Sequence, residues 1–242
     1  MTEKSSLEQR FRAIEENAKR LEGMLSDAVI RAGRNRADVR VMAVTKTVEP
    51  ALVNYALQTG FDLIGENKVQ ELLSKYDEYD LNNCDLQFIG HLQTNKVRQI
   101  IDKVSMIQSV DSVKLAGEIS KQSVKNSLVS DILIEVNIGR EENKSGVLTE
   151  ELEELLGRIS EMPAIKVRGL MSVPPICEKK TDVCKFFDKM HELFIDISAK
   201  KMDNIYMDYL SMGMSDDYEE AVLSGANMVR IGSRLFGRRI YR

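Results

Sequence analysis

The chain has 242 residues, 43% of them hydrophobic, and a net charge of −4 at neutral pH. That length and apolar content suit one α/β domain with a large core, and the acidic balance argues against a general nucleic-acid-binding surface. No apolar run approaches the ~18 residues of a membrane span, and the polar opening MTEKSSLEQRF does not read as a secretory leader.

These features predict a cytoplasmic protein with neither nucleic-acid nor membrane partners. The three cysteines, Cys84, Cys177 and Cys184, match no zinc spacing and read as reduced, free thiols. Two histidines far apart, His91 and His191, do not suggest a histidine-rich metal site.

In chain order, residues 6–32 read first as a long helix. Phe11, Ile14, Ala18, Leu21, Leu25 and Ala28 recur there at three- and four-residue steps. Eight short apolar runs follow: VRVMAVTK (39–46), FDLIGEN (61–67), LQFIGHL (86–92), SMIQSVD (105–111), DILIEVNI (131–138), IKVRGLMSV (165–173), IYMDYLSMG (205–213) and MVRIGS (228–233). Helix-like segments separate them, among them EPALVNYALQTG, SVKLAGEISKQSVKN, TEELEELLGRISEM and DDYEEAVLSG. Eight strand–helix units predict a (β/α)8 TIM barrel. A doubly wound sheet also alternates, but the count is eight and no G-x-G-x-x-G follows the first strand. The prediction is one domain over 1–242, with an N-terminal helix in 1–35 and the barrel in 39–237.

In such a barrel the functional end is where the strands finish. Polar or glycine residues stand at nearly every strand end: Lys46, Glu66 and Asn67, Gly90 and His91, Asp111, Asn137, Ser172. The last two strands run into SMGMSDD and GSRLFG. Those two turns carry glycine and serine where barrel enzymes bind phosphate. The competing reading is plain helix capping by Ser215, Asp216 and Ser233. Lys46 is a candidate nucleophile, because burial disfavours the ammonium and a free amine condenses with an aldehyde. The competing reading is an ion pair to Glu66 or Asp111. Pyridoxal phosphate carries both an aldehyde and a phosphate, and joins the two features. Strand alternation aims Arg230 into the barrel and Val229 and Ile231 away from it. A buried arginine needs a partner: Asp208, or the pyridine nitrogen of such a cofactor. An arginine there keeps its proton, leaving the ring a weak electron sink.

The motifs AVTKT, IGENKVQE, FIGHLQTNK, RGLMSVPP, LSMGMSDD and VRIGSRLFG together resemble the pyridoxal phosphate homeostasis protein family, whose members look like the N-terminal barrel of alanine racemase. The likeness runs from about Val39 to Gly237. It implies that Lys46 holds pyridoxal 5'-phosphate as an internal aldimine, a Schiff base, and that Arg230 faces the ring nitrogen. It implies that Ser211, Gly213, Ser215, Gly232 and Ser233 surround the phosphate, that Asn67 lies close to the ring, and that His91 and Met171 line the pocket. The family regulates the supply of this vitamin B6 cofactor, without robust catalysis as an established trait.

The main alternative is a fold-type-III amino-acid racemase. Racemisation needs two bases, and in alanine racemase the second is a tyrosine on a C-terminal domain. The sequence runs only five residues past Gly237, so the expectation is a binding protein, with Tyr241 a weak substitute base. A third reading keeps a phosphate site but no cofactor, with Lys46 as a base. The expected partners are the cofactor and apoenzymes that accept it, and the expected state is a monomer. The charged loop GREENKSG (139–146) reads as a solvated loop or as a flexible lip whose Lys144 recruits an anion. Arg238, Arg239 and Arg242 read as a solvated tail.

Overall fold

A computed structural model describes residues 3–237, with side-chain surroundings from Leu7 onward. Arg238, Arg239, Tyr241 and Arg242 lie outside the described residues. Helix α1 (Glu3–Arg31) comes first. It ends where Gly33 takes φ +67 and the Arg34 amide reaches back to Val29 O at 3.1 Å, a glycine-dependent closure of the last turn.

The repeating part follows as β1 (Arg40–Val44), α2 (Pro50–Gln58), β2 (Leu63–Glu66), α3 (Val69–Lys75), β3 (Asp85–Phe88), α4 (Val97–Ile100), β4 (Met106–Val110) and α5 (Val113–Lys125). It continues with β5 (Ser130–Glu135), α6 (Leu152–Ser160), β6 (Ile165–Met171), α7 (Lys180–Ala199), β7 (Ile205–Met214), α8 (Tyr218–Leu223), β8 (Met228–Ile231) and α9 (Ser233–Phe236). The eight strands pair in parallel and in sequence order, and β8 closes on β1 with Met42 opposite Arg230. This is the (β/α)8 TIM barrel expected from the alternation.

Strands buried on both faces explain the near-continuous apolar runs. The outward faces, for example Ala43, Ile64, Ile107, Val229 and Ile231, join the helices in one large core. The inward faces make two smaller clusters, Met42–Val44–Leu63–Met228 and Met106–Leu133–Met171. Helix α1 packs outside the barrel against α2, α8 and α9, burying Ile14, Leu21, Leu25, Ala28 and Val29. No helix among the described residues is long and apolar enough to cross a membrane.

Strand β1 stops at Val44, two residues short of Lys46. Lys46 therefore sits in a turn, and Thr47 beside it takes φ +64.

Candidate functional site

A cavity of about 580 Å³ opens at the carboxyl ends of the strands. Its lining includes Lys46, Asn67, Ile89, Gly90, Val173, Ser215, Asp216, Arg230, Gly232 and Ser233. Six residues singled out from the sequence, Lys46, Asn67, Ser215, Arg230, Gly232 and Ser233, thus share one space. A larger cavity of about 870 Å³ lies elsewhere, between α1 and the amino end of β1. Its arginines are already paired, Arg36 with Glu22 and Arg40 with Asp85 and Asp62.

Arg230 is 4% exposed and points into the barrel, as alternation predicts. Its partner is not Asp208, which pairs with Arg168 at 2.5 Å. Arg230 Nη1 instead donates to Ser211 Oγ at 2.7 Å, and Nη2 donates to Ser172 O at 2.8 Å. Ser211 in turn donates to Gln108 Oε1 at 2.7 Å, and Gln108 Nε2 donates to Gln87 Oε1 at 2.6 Å. Because guanidinium N–H groups only donate, every proton in this chain is directed away from Arg230. Burial pushes the guanidinium down to about 10, while Glu135 and Asp217 act the other way; it remains a cation near neutral pH.

Ser211 is therefore committed to Arg230 and Gln108, and it is fully buried outside the cavity lining. Gly213, at φ +87, is also outside the lining; an added Cβ there would come within 2.5 Å of Ala221 Cβ. Met171 is packed with Met106, Leu133 and Val173. His91 is exposed and faces Ser145 Oγ at 3.2 Å, away from the lining.

Asn67 shows the opposite situation. Its Oδ1 is buried and has no hydrogen-bond partner within the protein, although a buried amide oxygen normally finds one. The Asn67 backbone is held against the end of β3, where a Cβ on Gly90 would sit 2.0 Å from Asn67 O.

The capping reading of the two glycine–serine turns is partly realised. Ser215 Oγ accepts from the Gly232 amide at 3.2 Å and the Arg234 amide at 3.4 Å. Asp217, rather than Asp216, accepts from the Met214 amide at 2.6 Å. Ser215, Gly232 and Ser233 nevertheless line the cavity together, so capping and ligand contact are compatible at this edge.

The model of the alanine racemase N-terminal domain matches residues 12–239. A pyridoxal phosphate homeostasis protein of Aquifex aeolicus is 43% identical over 217 residues, spanning 90% of this chain and 94% of the relative. The chain belongs to the pyridoxal phosphate homeostasis protein family. The Escherichia coli K12 protein of the same name is 32% identical, covering 94% of this chain and 97% of that one. Among solved structures, PipY of Synechococcus elongatus with PLP bound superposes with TM-score 0.80 and 27% identity, over 93% of this chain and 100% of that one. Alanine racemase of Corynebacterium glutamicum shares the fold at TM-score 0.69 and 16% identity, with 60% of its length covered.

In this pyridoxal phosphate homeostasis family member, two further features escaped the sequence reading. Gln87 and Gln108 are buried polar residues within otherwise apolar strands, and that interruption was the available signal. Glu135, at the end of β5, is largely buried, and desolvation with Asp111 nearby lifts its carboxyl to about 7, against the pull of Arg230. Segment 139–146 is braced by Asn137, whose Nδ2 donates to Glu141 O at 2.9 Å and whose Oδ1 accepts from the Glu141 amide at 3.1 Å. Lys144 within it pairs with Glu141 at 2.5 Å and donates to Pro174 O at 3.3 Å. The loop is thus tied to the β6 end, and Lys144 already has partners.

The cysteines are unlinked. Burial lifts the Cys84 thiol to about 12, so almost none of it is thiolate at neutral pH. Cys84 is expected to resist iodoacetamide at pH 8 in the native chain and to react once unfolded. Alkylation at the rate of an exposed thiol, measured by mass spectrometry, would contradict this.

Proposed function

We propose that this chain binds pyridoxal 5'-phosphate covalently through Lys46 and serves the homeostasis of that cofactor without robust turnover. The observation that carries the reading is the convergence of Lys46, Arg230 and the unpartnered Asn67 Oδ1 on one cavity. The residues fit the group. An amine, a pre-aimed cation and an unused acceptor line the same cavity. The solved PipY relative with PLP bound supports the same choice of ligand.

When bound, the cofactor supplies a reactive aldehyde and an electron-accepting ring. Lys46 Nζ would be the amine that takes up the aldehyde and so holds the group in the cavity. Arg230 would hold the ring through its nitrogen as a donor that keeps its proton, which would disfavour strong carbanion chemistry. Ser215, Gly232 and Ser233 hold the phosphate at the β7 and β8 turns, with Gly213 shaping the first turn. Ser211 acts by orienting Arg230, Asn67 flanks the ring, and Met171 supports Val173 of the lining from the barrel interior. The finer parts of the proposal are that the chain is a cytoplasmic monomer and that apoenzymes dependent on the cofactor are its acceptors. Sedimentation at micromolar concentration and transfer of labelled cofactor to an apoenzyme test those parts.

The decisive experiment is a visible spectrum of the cofactor-loaded protein before and after borohydride, then peptide mapping. A reduced label on Lys46, absent from Lys46→Ala, is expected; a label elsewhere or none overturns the proposal. Interconversion of L- and D-alanine that disappears in Lys46→Ala would replace it with the racemase reading.

Arg230→Gln is expected to weaken cofactor retention and to shift the visible band. Loss of charge-assisted bonds to Ser211 and Ser172 should also cost about 1.5–3 kcal/mol. An unchanged spectrum, affinity and melting temperature would exclude the contact with the ring.

A further inference from the structure

The turn that carries Lys46 is fastened from the outer side of the barrel by a buried charge cluster. Lys75 lies at the end of α3, with only 12% of its side chain exposed. Its ammonium donates to Thr45 O at 3.1 Å, Glu66 Oε1 at 3.2 Å and Glu71 Oε1 at 2.5 Å. An ammonium has three N–H donors, so every one is used.

Each acceptor leads back to a residue of the cavity. Thr45 precedes Lys46, and its hydroxyl donates to Glu66 Oε1 at 2.8 Å. Glu66, fully buried, precedes Asn67 and also accepts from the Tyr79 hydroxyl at 2.6 Å. Glu71 accepts from the amide of Thr47, the residue after Lys46. Thr47 has φ +64, a left-handed conformation that a β-branched residue adopts only when its surroundings impose it. The peptide groups on both flanks of Lys46 are therefore held by one ammonium and one carboxylate, and the Thr45 side chain by a second carboxylate.

We propose that Lys75 is a positioning residue for Lys46. Through Thr45, Glu66 and Glu71, it holds the turn in its left-handed form and presents the Lys46 amine to the cavity in a single place. This rests on the reading of Lys46 as the attachment residue. Preorganisation of this kind accelerates a condensation by removing alternative placements of the nucleophile.

The test uses the full chain with Lys75→Met and, separately, Glu71→Gln. Without cofactor, amide hydrogen exchange at Thr47 is read by NMR. With added pyridoxal phosphate and borohydride, the rate of labelling at Lys46 is read by peptide mapping relative to exposed Lys121. In Lys75→Met, Thr47 is expected to exchange at least about tenfold faster and Lys46 to be labelled at least about tenfold more slowly. Amides of β5 should keep their native protection. Glu71→Gln keeps an acceptor for the Thr47 amide but loses the charge that binds Lys75, and should give a smaller change in the same direction. It decides the matter if Lys75→Met does not fold. Native exchange at Thr47 and native labelling of Lys46 in a folded variant would overturn the proposal, as would uniformly faster exchange throughout the barrel. If the native chain itself is not labelled at Lys46, the attachment reading fails, while Thr47 exchange still decides whether Lys75 holds the turn.

Discussion

A Gly90→Ala chain is expected to lose about 3 kcal/mol of stability, the upper range of overpacking costs, and to bind pyridoxal phosphate at least about tenfold more weakly. The added Cβ would lie 2.0 Å from Asn67 O, 2.6 Å from Asn67 C and 2.7 Å from Asn67 Cα. All three are backbone atoms, so no side-chain rotation relieves the overlap. The end of β3 must move from the end of β2, and Asn67 leaves its place on the cavity wall. For a chain of this size the melting temperature should fall by roughly 6–12 °C. Gly23→Ala is the matched control: nothing lies within 4 Å of its added Cβ, and it sits inside α1. That substitution should stabilise by about 0.5–1 kcal/mol through helix propensity. Gly90→Ala melting with the native chain and retaining cofactor would refute the close approach of β3 to Asn67.

The second large effect concerns pH. Burial, with Asp111 nearby, raises the Glu135 carboxyl from an ordinary value of 4.5 to about 7. Between those values the folded chain holds a proton that the unfolded chain has released. Stability must then fall as pH rises through that window and level off above it. A shift of that size corresponds to about 3 kcal/mol, to order of magnitude. Glu135→Gln keeps the uncharged shape and removes the titration. It should match the native chain near pH 4 and exceed it by about 3 kcal/mol at pH 8. Urea unfolding of both proteins across this range checks the difference, in which the other titrating groups largely cancel. Parallel curves would mean that Glu135 ionises as readily folded as unfolded. Arg230 opposes the upward shift, so Arg230→Gln should move the Glu135 transition to still higher pH.

Much of the architecture was legible because it repeats. Each of the eight strand-like runs overlaps one strand of the barrel, and β3, β5 and β7 each reach one residue beyond their run, since strands covered on both faces must be apolar at nearly every position. The inward aim of Arg230 followed from the two-residue period of a strand, with Val229 and Ile231 on the outer face. The edges were less legible. Lys46 looked like the last residue of β1, yet it lies in a turn whose conformation depends on Glu71 and Lys75, from another strand–helix unit.

The site divides along the same line. Motif order alone placed Lys46, Asn67, Ser215, Arg230, Gly232 and Ser233 at strand ends, where closure brings them to one cavity. Motif membership did not distinguish lining from support. Ser211 and Gly213 lie in the same segment as Ser215, but one orients Arg230 and the other admits α8. His91 shares its segment with Gly90 and faces outward to Ser145.

By itself, then, the sequence determined which residues alternate between core and interior and which end each strand, because those properties depend on neighbours two to four positions away. Only the tertiary structure decided who pairs with whom. Ser211 meets Gln108 from 103 positions away, and Asp208 goes to Arg168 instead of Arg230. The physical reason is that a hydrogen bond or ion pair depends on a few ångströms of separation, set by barrel closure and strand register, which local periodicity does not encode.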